Sequence, residues 1–174
     1  MNESKGKNRM KEIRIEKVTV NMGVGKSGEE LEKAKEILEK ITGSKAVKTV
    51  AKVKQPKWEI RPGLEIGVKV TLRKKKALEF LKKALSAKDN KLKEKQFDNN
   101  GNFGFGIGEY IDLPGVKYDP RLGIRGMDVL VTLERPGYRV KKRKIEKARI
   151  GKNHLISKTD AIDSVKKIFG VSIA

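Results

Sequence analysis

The first place where residue types and spacing suggest chemistry is Gly23-Val24-Gly25-Lys26-Ser27-Gly28, a literal G-x-G-x-x-G between a strand pattern and a helix start. In a dinucleotide-binding unit such glycines let the backbone approach a pyrophosphate, and a carboxylate about twenty positions later holds the ribose. Here the corresponding stretch, Lys45 to Lys54, contains no carboxylate. Gly25-Lys26-Ser27 also echoes a phosphate-binding P-loop, but the first glycine of that motif would have to stand at Val20. Two other readings stay open. One is a tight turn into a helix capped by Ser27 and Glu30; the other is a set of backbone amides that meet an RNA phosphate without enclosing a pocket.

Other reactive constellations are missing from the chain. It has no cysteine, and His154 is its only histidine, so disulfides, thiolate catalysis and cysteine zinc sites are excluded and a Ser-His-Asp arrangement has no support. No enzymatic activity, cofactor or metal is expected. Phe103-Gly104-Phe105 resembles the aromatic heart of the RNA-recognition motif, but Gly101, Asn102, Gly106 and Gly108 occupy its other signature positions. The phenylalanines read as core, and the intervening glycines as a flat face open to a second backbone or a helix.

What remains is charge. Lysine and arginine number 42 against 22 acidic residues, a formal charge of +20 spread along all 174 residues, and a surface of that kind favours a polyanion. Lys69, Thr71 and Arg73 fall on one face of a strand, so two cations flank a hydroxyl over about 13 Å, a span that can follow a sugar-phosphate backbone. Lys141-Lys142-Arg143-Lys144 is either a second contact or a solvated arm. Trp58, the single tryptophan, sits between Pro56 and Pro62 with Lys54, Lys57 and Arg61 beside it. It either anchors its loop or faces a second RNA.

The elements that must position these groups follow from periodicity. Ile13, Ile15, Val18 and Val20 outline a first strand ending near Asn21; Leu31, Ala34, Ile37, Leu38 and Ile41 form a helical stripe closed by Gly43. A second extended segment covers about 45–54, and 55–63 is a long loop broken by its prolines. Ile66, Val68, Val70 and Leu72 then alternate as a strand, and Ala77, Phe80, Leu81, Ala84 and Leu85 mark a second helix. Phe103, Phe105 and Ile107, and later Met127, Val129, Val131 and Leu133, give two more strands. Ser157 and Asp160 cap a terminal helix with Ala161, Val165, Ile168 and Phe169 inward. This order predicts an α+β fold in two layers, an antiparallel or mixed sheet of about five strands with helices on one face. One RNA-binding domain is expected over 1–174, with a flexible N-terminus (1–10), the loop at 55–63 and a basic C-terminal extension (135–174). No apolar run reaches the roughly 18 residues that suggest a membrane span, and a cytoplasmic protein is expected, monomeric when free.

Five blocks in order, Val18-Thr19-Val20-Asn21-Met22-Gly23-Val24-Gly25, Ile41-Thr42-Gly43, Ile66-Gly67-Val68-Lys69-Val70-Thr71-Leu72-Arg73, Gly101-Asn102-Phe103-Gly104-Phe105-Gly106-Ile107 and Tyr118-Asp119-Pro120, resemble the large-subunit ribosomal protein five family. The Phe-Gly repeat and basic extension resemble its archaeal and eukaryotic branch. The resemblance implies a subunit of the central protuberance that holds 5S ribosomal RNA on its sheet, with Asn21 and Thr71 as hydrogen-bonding residues. A glutamine common after I-T-G in the family is replaced here by Ser44. Met22, Gly23, Gly25, Lys26, Ser44, Lys48, Lys69 and Arg73 complete the candidate RNA-binding set. The resemblance also implies that the loop carrying Lys54, Lys57, Trp58 and Arg61 reaches the P-site transfer RNA, and that other ribosomal RNA and proteins, including one in the small-subunit head, are partners. The alternatives are a basic RNA-binding protein outside the ribosome and a nucleotide-binding protein using the glycine loop.

Overall fold

In the computed structural model, which describes residues 8–173, the period-two segments pair into one five-stranded antiparallel sheet. In chain order the elements are β1 (Arg14–Gly23), α1 (Glu29–Thr42), β2 (Val47–Val50), β3 (Glu65–Leu72), α2 (Lys74–Ser86), β4 (Lys91–Leu92), β5 (Phe103–Ile107), β6 (Met127–Glu134), α3 (Lys158–Phe169) and β7 (Ser172–Ile173). The large sheet runs β2-β3-β1-β6-β5, and β4 pairs with β7 in a separate short ladder. The α+β expectation is met.

One face of the sheet is core. Val18, Val20 and Met22 of β1, Val68, Val70 and Leu72 of β3, and Val129 and Val131 of β6 are all buried there. α1 closes over this face with Leu31, Ala34, Ile37 and Leu38, and α2 with the stripe expected from its sequence. Each large side chain so buried contributes about 1.5–3 kcal/mol, which is why the apolar period decides the arrangement even though lysines crowd both helices. Gly43 ends α1 in the left-handed region, its N–H donating to the Glu39 carbonyl at 2.9 Å.

Several local expectations are corrected. Ser27 does not cap α1: Gly28, at φ 110°, takes the cap position and no side chain caps the helix. β1 continues through Gly23 rather than ending at Asn21. Of the N-terminal segment expected to be flexible, residues 9–11 form a 3-10 turn capped by the Asn8 side chain, while 1–7 lie outside the described residues. The Ser157–Asp160 capping box forms, and Ala161 and Val165 are buried, but Ile168 is exposed. The flat glycine face of β5 is not covered by backbone or helix. Leu130 lies across it, so that a Cβ added at Gly104 would stand 2.7 Å from Leu130 Cδ2.

The C-terminal extension is part of the body. Tyr138, Ile156, Ala161, Val165 and Val171 join the core, and β7 pairs with β4. The buried Arg135 guanidinium donates to the Leu155 carbonyl and to Asp160, both at 2.9 Å. Burial pushes the Asp160 carboxyl up, but hydrogen bonds from Ser157 and the Arg135 charge outweigh it and hold the group below the usual range.

Close packing between strands makes Gly67 obligatory. A Cβ there would stand 2.9 Å from Thr49 Oγ1 and 3.0 Å from the Met22 carbonyl oxygen. The threonine can rotate but the backbone oxygen cannot, so Gly67→Ala is expected to destabilise the fold by about 1–3 kcal/mol in urea unfolding. An unchanged midpoint would show that β1 and β3 can spread at no cost.

Candidate nucleic-acid interface

Side chains alternate along a strand, and directly opposed residues of antiparallel neighbours share a face, so the register lays out the surface turned away from the helices. One row crosses the sheet as Val47, Lys69, Asn21, Asp128 and Gly106, and the next as Thr71, Thr19, Leu130 and Gly104. Neighbours in a row lie about 5 Å apart and the rows about 7 Å apart. Lys69, Thr71, Asp128 and Leu130 are exposed, and Asn21 and Thr19 half-buried. Among the described residues no helix covers these rows. They present a cation, an amide, two hydroxyls, a carboxylate and glycine backbone, each about 5–7 Å from the next.

Four of the expected residues, Asn21, Lys69, Thr71 and Arg73, therefore share one surface. Thr19 belongs with them and is legible in the sequence, since it stands two positions before Asn21 on the same strand. Asp128 and Leu130 join only through the pairing of β6 with β1, which nothing in the sequence specifies. Arg73, at the end of β3, lies 3.5 Å from Glu16, whose other partner is Lys142 at 2.6 Å. Burial pushes the Glu16 carboxyl up; Lys142, with Lys17 and Arg73, reverses this and holds it below the ordinary value. Lys142, from the basic run, is thus an internal partner of Glu16 and Glu134 rather than a free arm.

Other expected residues are elsewhere. The Met22 side chain is fully buried among the core residues and has no open surface to offer RNA. Lys48 is opposite Val68 and so projects on the helix side, where it pairs with Glu32 at 2.7 Å and Glu65 at 2.8 Å. Hydrogen bonds to Glu32, then Glu65, push its pKa up to about 12, so the cation is fixed but already partnered. The Ser44 hydroxyl receives a hydrogen bond from Lys76 Nζ at 3.2 Å, shared with the Gly43 carbonyl.

In the glycine loop, Gly23, Gly25 and Lys26 are exposed, but the Val24 and Gly25 amides donate to the Ile66 carbonyl at 2.9 and 2.8 Å. The first turn of α1 carries Glu29, Glu30 and Glu32. Carboxylates there already answer the positive end of the helix and repel a phosphate. The acidic first turn of α1 therefore disfavours a nucleotide phosphate at the loop. The Val24 and Gly25 amides hold β1 to β3, while Gly23, Gly25 and Lys26 stay exposed at this edge of the sheet.

The segment 55–63 is the tip of the hairpin between β2 and β3. Gln55 and Ile60 exchange backbone hydrogen bonds at 2.9 and 3.2 Å, and Pro56–Trp58 makes a 3-10 turn within them. Ile60 is buried at the base while Trp58 is 70% exposed. The indole does not anchor the loop. Lys54, Lys57 and Arg61 are exposed around it, and none of them is ion-paired among the described residues.

Comparisons with known proteins cover almost the whole chain. Residues 8–61 match the family described as ribosomal protein L5, and residues 65–163 match the C-terminal part of the same ribosomal protein family. A protein called large ribosomal subunit protein uL5 from Nanoarchaeum equitans is 55% identical over 165 residues, 94% of this chain and 97% of its own length. Proteins of the same name from Sulfolobus acidocaldarius and Methanococcus aeolicus are 49% identical over 173 residues and 52% over 167, covering 99% and 94% of this chain and 97% and 92% of their own.

Proposed function

The chain belongs to the ribosomal protein L5 family, and from that premise we propose that its open sheet face holds 5S ribosomal RNA in the central protuberance of the large subunit. It is a structural constituent of the large ribosomal subunit, of archaeal type and without enzymatic activity. Ribosomal RNA and other ribosomal proteins are its partners there, in the cytoplasm. The observation that carries the finer reading is the placement of Thr19, Asn21, Lys69 and Thr71 on adjoining positions of an uncovered face. Lysine meets phosphate and sets position, while amide and hydroxyl groups hydrogen-bond riboses and base edges and so recognise local shape. The core on the other face fixes the strands, so the surface is formed before RNA arrives and little ordering entropy opposes binding.

The hairpin tip serves a second contact. Trp58 with Lys54, Lys57 and Arg61 combines an exposed aromatic plane with cations, the pair of features that holds an RNA strand by stacking and charge. We assign it to the P-site transfer RNA, as the family resemblance implies.

The test compares 5S ribosomal RNA with an unrelated duplex of similar length. Asn21→Ala with Thr71→Ala removes two hydrogen-bonding groups of about 1 kcal/mol each, and a roughly tenfold to thirtyfold loss on 5S RNA is expected. The control duplex should lose much less, because the cations are untouched. Equal losses on the two RNAs would refute the assignment.

A further inference from the structure

Asp128 is out of place on a surface built for a polyanion. The other carboxylates at this side of the sheet have their own cations: Glu16 has Lys142 and Arg73, and Glu134 has Arg14 at 2.8 Å. Among the described residues Asp128 has no such partner, although it is exposed and stands next to Asn21 in the row that also holds Lys69. Its neighbour on the other side is Gly106, where an added Cβ would stand 3.6 Å from Asp128 Oδ1. The carboxylate thus leans over bare backbone. It belongs to no acidic group that could hold a metal ion among the described residues.

A carboxylate facing phosphates is repelled unless it accepts hydrogen bonds from the RNA itself. Of the common bases, guanine offers two neutral donors side by side on its Watson–Crick edge, N1–H and N2–H, with the spacing of a carboxylate's two oxygens. Gly106 leaves room beside Asp128 for the plane of a base, and Leu130 in the adjoining row offers an apolar surface next to it. Lys69, two strands and about 10 Å away, is within reach of the phosphate of the same or the next nucleotide. We propose that Asp128 is a specificity-determining residue that reads an unpaired guanine of the bound RNA through N1–H and N2–H, with Asn21 beside it and the base lying over Gly106. This inference rests on the reading of the sheet face as the 5S RNA site.

The sign of a single substitution separates recognition from repulsion. Asp128→Asn keeps the shape but removes the charge and one of the two acceptors. If Asp128 reads guanine, the variant binds cognate 5S RNA about tenfold more weakly, while binding to an unrelated duplex is unchanged or stronger. Kethoxal, which modifies guanine at N1 and N2, should find at least one guanine shielded by the natural protein and reactive with the variant. Changing that guanine to adenine should weaken the natural protein by a similar factor and the variant very little. A variant that binds 5S RNA as tightly as the natural protein, or more tightly, with the same guanines shielded, overturns the inference and leaves the face reading intact. If the natural protein itself shows no preference for 5S RNA over the control, both fall together.

Discussion

Lys69→Glu is expected to weaken binding to 5S ribosomal RNA by about a hundredfold at moderate salt. Lys69 is exposed in the middle of the face, is unpaired among the described residues, and sits beside Asn21 across β1 and β3. Reversal removes an attraction and adds a repulsion, each worth on the order of 1–2 kcal/mol for a phosphate a few ångströms away in a partly screened setting. The salt dependence should become shallower by about one counterion, because one fewer phosphate is neutralised. Circular dichroism should be unaffected, since the side chain makes no contact on which the fold depends. A loss smaller than about threefold would place the RNA on another surface. Arg73→Glu should do less, because Glu16 and Lys142 already share its neighbourhood.

Gly101→Ala is expected to be the most damaging single-methyl change in the protein, lowering stability by about 2–4 kcal/mol. Gly101 is buried at φ +80°, and a Cβ would meet Ile156 Cγ2 at 2.5 Å and Ala161 Cβ at 3.2 Å. Left-handed backbone alone costs a non-glycine residue about 1–2 kcal/mol, and overpacking a filled core adds a similar amount. In a chain of this length that is roughly a 5–15 °C fall in melting temperature. Ile156→Ala removes the colliding methyl but costs core packing of its own, so the double variant with Gly101→Ala should lose less stability than the sum of the two single losses. Strict additivity would mean that the backbone angle alone carries the penalty. The position matters because it joins the turn before β5 to the C-terminal extension, whose Arg135 and Tyr138 hold the same region from the other side.

Where a single periodic signal dominates, the sequence is a sufficient guide. β3 alternates buried and exposed from Val68 to Leu72, and the stripe on α2 is buried residue for residue as its spacing requires. The capping box at Ser157 forms because its second member, Asp160, stands at the third helical position. Ser27 fails at the same task because the loop before α1 is tied to Ile66 and delivers Gly28, not Ser27, to the cap. Lys48 departs from expectation for a different reason. Val47, Val50 and Val53 are spaced by three, and the shift in register between Thr49 and Val50 that explains this spacing appears only when β2 is paired with β3. Met22, in contrast, follows Val18 and Val20 at the strand period, and that alternation alone places it in the core. Among the candidate site residues, those on one strand are legible together, whereas Asp128 needs a partnership spanning more than a hundred positions.

That long-range partnership bears on how the protein is made. β1 lies in the middle of the sheet, between β3 and β6, and β6 is the last strand of the large sheet to leave a translating ribosome. Until residues 127–134 have emerged, β1 can pair on one side only, its other edge is open, and the row through Asn21 stops short of Asp128. Closing so distant a contact is slow compared with forming the helices and the β2–β3 hairpin, which are local. On the proposed reading of this face, the nascent chain carries its positive charge from the start but acquires the surface that selects its RNA near the end of synthesis. Attraction to RNA then precedes discrimination among RNAs, with completion of the sheet as the step between them.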